Sequence, residues 1–354
     1  MLKGLKVATV LAAGALALAA CGSSTSSSSS GPAASGSGSA SSSALPGAGM
    51  KVGMAYDIGG RGDKSFNDSA AKGLDQAKTE LGVETKELSA VSNETDAQKV
   101  ARLTLLAQGG YNPVIAVGFA YEKALATVAA KFPKVSFAIV DSTAVKAPNV
   151  AGLEFAANEA SYLVGVIAAQ ASKKKNVGYI GGVNVPLLIS FQKGYEAGVK
   201  DTVADTTVQA KYLTQLPDFT GFNDPAKGKA VAAGMFDGGA DVIYAAAGGS
   251  GSGVFTAALA AGGWAIGVDS DQYLSADPSV QGKVLTSALK NVNVSVFDVI
   301  DAFVKGTPLA GTQTYNLANE GVGYSKSNSA VQPFEAKADE AAKAIIAGTI
   351  KVPS

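Results

Sequence analysis

The chain has 354 residues, and 29 Lys and Arg are balanced by 29 Asp and Glu, with no His and one Cys. Zero net charge offers no basic face to displace counterions from nucleic acid, and no polybasic membrane patch. The missing histidine excludes a Ser–His–Asp triad and a His general base, and a single cysteine excludes intramolecular disulfides and the usual Cys/His zinc sites.

Residues 1–21 read MLKGLKVATVLAAGALALAAC. Lys3 and Lys6 form a basic start, and Val7–Ala17 is an apolar run too short to span a bilayer. Leu18-Ala19-Ala20-Cys21 resembles a bacterial lipobox. That resemblance implies cleavage after residue 20 and lipid attachment at Cys21. Of the 28 residues 22–49, thirteen are serine. Such a segment buries too little apolar surface to fold and is expected to act as a leash with a reach of about 30 Å. No later apolar stretch approaches the roughly 20 residues of a membrane span. The expectation is an exported chain tethered to the outer face of the bacterial cell membrane, its folded part facing water.

From residue 50 onward, short apolar runs alternate with amphipathic stretches. In the first block the pattern predicts strands at 51–56, 84–88, 114–117, 135–140 and 150–155, and helices at 69–81, 96–108 and 122–131. In the second it predicts strands at 177–180, 208–213, 242–246, 264–268 and 284–289. Its helices are expected at 160–172, 190–203, 225–234, 253–261, 294–304 and 336–347. Apolar strands of 4–6 residues alternating with helices mean parallel sheets covered on both faces, hence two doubly wound α/β units.

In such sheets ligands bind beyond the carboxyl ends of the strands. Asp57, Gly118, Phe119, Asp141, Gly181, Gly182, Gly248, Gly249, Asp269 and Asp271 occupy those positions. Carboxylates there, with no metal-type cluster beside them, suit hydrogen bonds to a hydroxyl-rich neutral ligand; ordinary helix capping is the competing role for each aspartate. In Asp57-Ile-Gly-Gly-Arg-Gly-Asp-Lys-Ser-Phe-Asn67, Phe66 could stack on a planar ring while the Asn67 amide reads its edge, or could staple a helix start. Phe222, in Thr220-Gly-Phe-Asn-Asp-Pro225, could cover the other face of that ring, with Phe219 as rival. The loop Ala247-Gly-Gly-Ser-Gly-Ser-Gly253 fits neither the dinucleotide nor the P-loop fingerprint and better suits close backbone approach to a sugar. Lys290 could donate to a ligand hydroxyl or to Asp269, or sit solvated on the surface.

The runs DIGGRGDKSFN (57–67), VIAVGF (114–119), FAIVDS (137–142), EASYLVGVIAA (159–169), AAGGSGSGV (246–254), GVDSDQY (267–273) and VLTSALK (284–290) are spread over nearly all of residues 50–354. Together they resemble the basic membrane protein family of ABC-transporter substrate-binding lipoproteins, which includes bacterial purine-nucleoside receptors. The resemblance implies a type I periplasmic-binding-protein fold, with two lobes joined by a three-crossover hinge. The amino-terminal lobe is expected at 50–156 plus about 288–318, and the carboxy-terminal lobe at 157–287 plus about 319–354. It also implies Asp57 and Asp269 near ribose hydroxyls, Phe66 and Phe222 on the two faces of a base, and Asn67 and Asp141 on the base edge. Lys290 and the Gly248–Gly253 loop, Gly249 included, complete the implied sugar site.

The expected function is a nucleoside-binding component of an ABC importer, favouring purine nucleosides, with a membrane permease as partner. A sugar or other small metabolite in the same fold is the alternative. A monomer, no cofactor, no metal and no catalysis are expected. With no histidine, binding is expected to be nearly flat between about pH 5.5 and 8.

Overall fold

The computed structural model describes residues 44–354. The leader, Cys21 and most of the serine-rich segment lie outside the described residues. Residues 44–49 form a turn held to the fold by Gly47 N–H, which donates to Leu81 O at 2.7 Å.

In chain order the elements are β1 (Lys51–Ala55), α1 (Phe66–Leu81), β2 (Glu84–Leu88), α2 (Asp96–Gln108), β3 (Val114–Ala116), α3 (Glu122–Lys131), β4 (Phe137–Val140) and β5 (Val150–Phe155). There follow α4 (Ala157–Ala171), β6 (Asn176–Asn184), α5 (Pro186–Thr202), β7 (Thr207–Gln215), α6 (Pro225–Asp237), β8 (Val242–Ala246), α7 (Gly251–Ala261) and β9 (Trp264–Asp269). The last are the short α8 (Gln272–Ser275) and α9 (Pro278–Gln281), β10 (Val284–Lys290), α10 (Val292–Val304), β11 (Gly311–Tyr315), β12 (Val322–Tyr324) and α11 (Gln332–Ile346).

Two six-stranded sheets result, ordered β2-β1-β3-β4-β5-β11 and β7-β6-β8-β9-β10-β12. The strand pairs are parallel apart from β10 with β12. The two orders are the same pattern written twice. Strand alternation splits each sheet's apolar side chains between two layers. In the first sheet Val52, Met54, Ile115, Ala138 and Val140 pack on the α1 side, whereas Ala55, Val114, Ala116, Phe137 and Ile139 pack with Leu103, Leu106, Leu125 and Val128 of α2 and α3. In the second sheet Val177, Tyr179, Val242 and Tyr244 join the large shared core, and Ile180, Ile243 and Ala245 pack with α6 and α7.

The chain passes between the sheets three times: after β5, after β10, and between β11 and β12. Phe155 and Tyr315, the last residues of β5 and β11, stack with ring centroids 5.0 Å apart, and Lys290 at the end of β10 lies 5.8 Å from the Phe155 ring. The three crossings thus share one small core.

Helix α1 begins three residues before the expected start. The Asp63 carboxylate accepts from the N–H groups of Ser65, Asn67 and Asp68 at 2.9–3.1 Å, so the first turn is capped from outside the apolar pattern. Strands β11 and β12 have no expected counterpart; β11 is a mostly exposed edge strand, GTQTY, without an apolar run.

Candidate functional site

The parallel strands of both sheets aim their carboxyl ends at the gap between the lobes. A cavity lies there, lined by residues of both lobes. Of the residues anticipated from the sequence, Asp57, Phe66, Asn67, Asp141, Phe222, Gly248, Asp269 and Lys290 line it. Gly249 is not among the lining residues; a Cβ built there would face Asn223 Oδ1 at 3.1 Å.

The four anticipated carboxylate and amide groups fall into two bonded sets. In the first, the Asn67 amide donates to Asp57 Oδ1 at 2.9 Å and to Asp63 Oδ2 at 3.1 Å. In the second, Lys290 Nζ lies 2.7 Å from Asp141 Oδ2 and 3.3 Å from Asp269 Oδ1. Strand position makes these sets: Asp57 and Asn67 flank one β1–α1 loop, whereas Asp141 follows β4, Asp269 ends β9, and both face Lys290 on β10.

Asp141 and Asp269 occupy matching places in the two sheets, and both take left-handed backbone angles, φ 62° and 63°. Aspartate tolerates that region better than most residues. Asp57, Asp141 and Asp269 cap no helix; Asp57 bonds the Asn67 amide, and Asp141 and Asp269 face the Lys290 ammonium instead. Lys290 is buried, not solvated, with its ammonium 4.4 Å from the Phe66 ring centroid and 5.5 Å from that of Phe191.

Phe66 opens α1 and Phe222 comes from the loop before α6, so the two rings enter the cavity from opposite lobes. Gly182 on β6 makes room for Phe222: a Cβ there would lie 2.4 Å from the ring. The Ser250 hydroxyl donates to Gly221 O at 2.8 Å and accepts from Asp224 N–H at 2.7 Å, which fixes the loop on both sides of Phe222. Phe219 does not line the cavity.

Sequence reasoning missed Asp63, Ser65, Leu187, Leu188 and Phe191. Ser65 Oγ donates to Asp269 Oδ2 at 2.8 Å, and Ser270 Oγ donates to Ser65 O at 2.7 Å, joining the lobes directly. Leu187, Leu188 and Phe191 stand on the first turns of α5. Pro186 marks that helix start, four residues earlier than expected. Two buried acceptors on the wall, Asn67 Oδ1 and Asp141 Oδ1, have no hydrogen-bond partner among the described residues. A buried polar atom of this kind points to a bonding group from elsewhere.

A family model described as "ABC transporter substrate-binding protein PnrA-like" matches residues 50–354. The chain belongs to this Bmp family. It is 37% identical to the ABC transporter nucleoside-binding protein BmpA of Lactococcus lactis, over 86% of this chain and 89% of that one. It is 32% identical to the CD4+ T-cell-stimulating antigen of Listeria monocytogenes, over 85% and 87% of the two chains. Among solved structures, an ABC transporter solute-binding protein from Aeropyrum pernix superposes with a TM-score of 0.75 at 27% identity, covering 86% of this chain and 94% of that one. The two lobes and their sheet orders are those of a type I periplasmic-binding protein.

In this Bmp-family member four carboxyl groups share the gap with one ammonium. Burial pushes Asp57 well above the ordinary carboxylate range, against the Asn67 hydrogen bond that pulls it down. Burial likewise lifts Asp63 to about 6 despite its three backbone donors. Burial raises Asp141 too, with Lys290 opposing. Burial lowers Lys290, but Asp141 and Asp269 together more than reverse this and keep it charged.

Two outcomes follow from this geometry. Lys290→Met leaves two buried carboxylates facing each other and is expected to cost about 3–5 kcal/mol in urea unfolding at pH 7, shrinking on acidification as the carboxylates take up protons. Asp63 binds its proton more tightly folded than unfolded. Its contribution to stability is therefore full below about pH 4 and is lost as the pH rises through about 6. Asp63→Asn should flatten that part of the stability profile, and an unchanged slope between about pH 4 and 6 would contradict the assignment.

Proposed function

We propose that this substrate-binding protein of an ABC transporter takes a nucleoside as its ligand, with purine nucleosides favoured, and delivers it to a membrane permease. The observation that carries this reading is the pair Phe66 and Phe222, presented from opposite lobes into one cavity whose polar groups form two separate sets. A planar ring between two aromatic faces gains stacking and apolar burial together. The Asp57–Asn67 set offers a buried acceptor without a partner, Asn67 Oδ1, to an N–H on the edge of a heterocyclic base. The Asp141–Lys290–Asp269 set offers two carboxylates held apart by an ammonium, which matches vicinal hydroxyls of a ribose. The family relative from Lactococcus lactis is named as nucleoside-binding, which supports the same choice.

Charge supports a neutral ligand. Four carboxyl groups surround the cavity and its one ammonium is already held by two of them, so a phosphate would meet repulsion without a free counter-charge. Closure follows from the contacts: a ligand touching both lobes binds the closed state better and shifts the population toward it. No nucleophile paired with a base stands among the residues lining the cavity, and the proposal includes no catalytic step. Lipid attachment at Cys21 and a place on the outer face of the membrane are part of the same proposal. Relatives named as lipoproteins support it, and no helix among the described residues is long and apolar enough to cross a membrane.

Calorimetric titration of the chain, unfolded and refolded to strip bound ligand, tests the proposal. Inosine should bind one-to-one at micromolar or tighter, and its 5′-phosphate at least tenfold more weakly. Phe66→Ala or Asp269→Ala should each weaken inosine at least tenfold. Competition by free ribose or glucose without any by inosine or adenosine would replace the nucleoside with a sugar.

A further inference from the structure

The loop that carries Phe222 into the cavity carries a second aromatic outward. Phe219 lies three residues earlier and touches the opposite lobe instead. Its ring centroid is 6.0 Å from that of Phe119, at an interplanar angle of 50°. The Lys99 ammonium of α2 lies 5.4 Å from the same ring.

Lys99 is 7% exposed, although it sits in the first turns of a surface helix. Its nearest carboxylate is that of Asp96, itself exposed, at 3.8 Å. A buried cation with so little pairing is costly, and the aromatic face partly offsets that cost. Lys99 and Phe219 line a second chamber that shares Asp57 and Ile58 with the main cavity, whose own wall includes Phe119, and Pro217 and Thr220 of the same loop line it too.

The loop is built to hold this position. Thr214 Oγ1 donates to Asp218 O at 2.6 Å, Asp218 Oδ1 accepts from Thr220 N–H at 2.8 Å and from its hydroxyl at 2.6 Å, and Phe222 N–H donates to Phe219 O at 3.1 Å. One braced turn therefore faces two ways, Phe222 toward the cavity and Phe219 toward the other lobe. Neither Phe119 nor Lys99 belongs to the three crossovers, so this contact joins the lobes independently of the hinge.

We propose that Phe219 is a closure latch: packed on Phe119 and covered by the Lys99 ammonium, it sets how long the ligand stays, while Phe222 helps set which ligand is chosen. The contact joins the two lobes, and Phe219 itself does not line the cavity, so it slows reopening without touching the ligand. The choice of probe rests on the nucleoside reading; the latch itself does not.

The test is stopped-flow dissociation of inosine from the full chain. Phe219→Ala should raise the dissociation rate about tenfold or more and leave the ratio of affinities for inosine and uridine within about twofold, a size consistent with a desolvated cation–π contact plus an aromatic pair. Phe219→Leu, which keeps the apolar bulk, and Lys99→Met, which keeps the stem and removes the charge, should each give a smaller rise. Phe222→Ala should change the ratio. An unchanged dissociation rate in folded Phe219→Ala, or a changed inosine–uridine ratio, overturns the latch. If the wild type binds no nucleoside, the functional reading fails by itself. The latch is then judged by small-angle scattering of the ligand-free chain, where Phe219→Ala should increase the radius of gyration and an equal radius overturns it.

Discussion

A single ammonium, that of Lys290, stands between two carboxylates that belong to different lobes. Asp141 follows a strand of the first sheet and Asp269 ends a strand of the second, and Lys290 reaches both from the last position of β10. Remove the ammonium and the two carboxylates repel across the gap; separate the lobes and one of its ion pairs is lost. The burial that makes the Asp141 carboxyl hard to ionise alone is tolerable because Lys290 opposes it. Lys290 also lies against Phe66 and Phe155, so the same group touches the aromatic wall of the cavity and the core of the three crossovers.

The rest of the site follows from repeating one sheet pattern twice and turning the two carboxyl edges toward each other. Strand ends supply aspartates, strand-to-helix loops supply the rings, and the glycines beside them let the rings and carboxyls come close. Gly118, with φ 106°, is such a case: a Cβ there would lie 2.8 Å from Asp57 Oδ2. Ser65 and Ser270 add direct bonds between lobes, and the Phe219 loop adds an aromatic one. Under the proposed reading, recognition and closure are spread over different residues of the same few loops.

The fold was legible because apolar strands buried on both faces leave a strong signal. Helix α2 and strands β2, β5 and β8 lie where the periodicity puts them. What escaped was polar or short: β11 is an edge strand with few buried residues, and β12 has three residues. The site was legible as a set of strand-end and loop residues, and eight of the nine anticipated ligand-site positions meet at one cavity. Of the bonds among them, that of Lys290 with Asp269 was legible; that Asp141 faces the same ammonium was not, because it depends on strand order rather than on sequence distance. Leu187 and Leu188 escaped because α5 was expected to start at residue 190, which hid its first turn. Composition alone likewise leaves every carboxyl ordinary, whereas burial shifts Asp57 and Asp63 upward.

The central claim is that a nucleoside lies across the gap with its base between Phe66 and Phe222, its base edge on Asp57 and Asn67, and its sugar hydroxyls on Asp141, Asp269 and Lys290. A crystal structure of the chain grown with inosine tests it most directly. The hypoxanthine ring should lie between the two phenyl rings, with Asn67 Oδ1 and Asp141 Oδ1 each accepting a hydrogen bond from the ligand. A nucleoside bound the other way round, with its ribose on Asp57 and Asn67, or a ring stacked on Phe219 instead of Phe222, would contradict it.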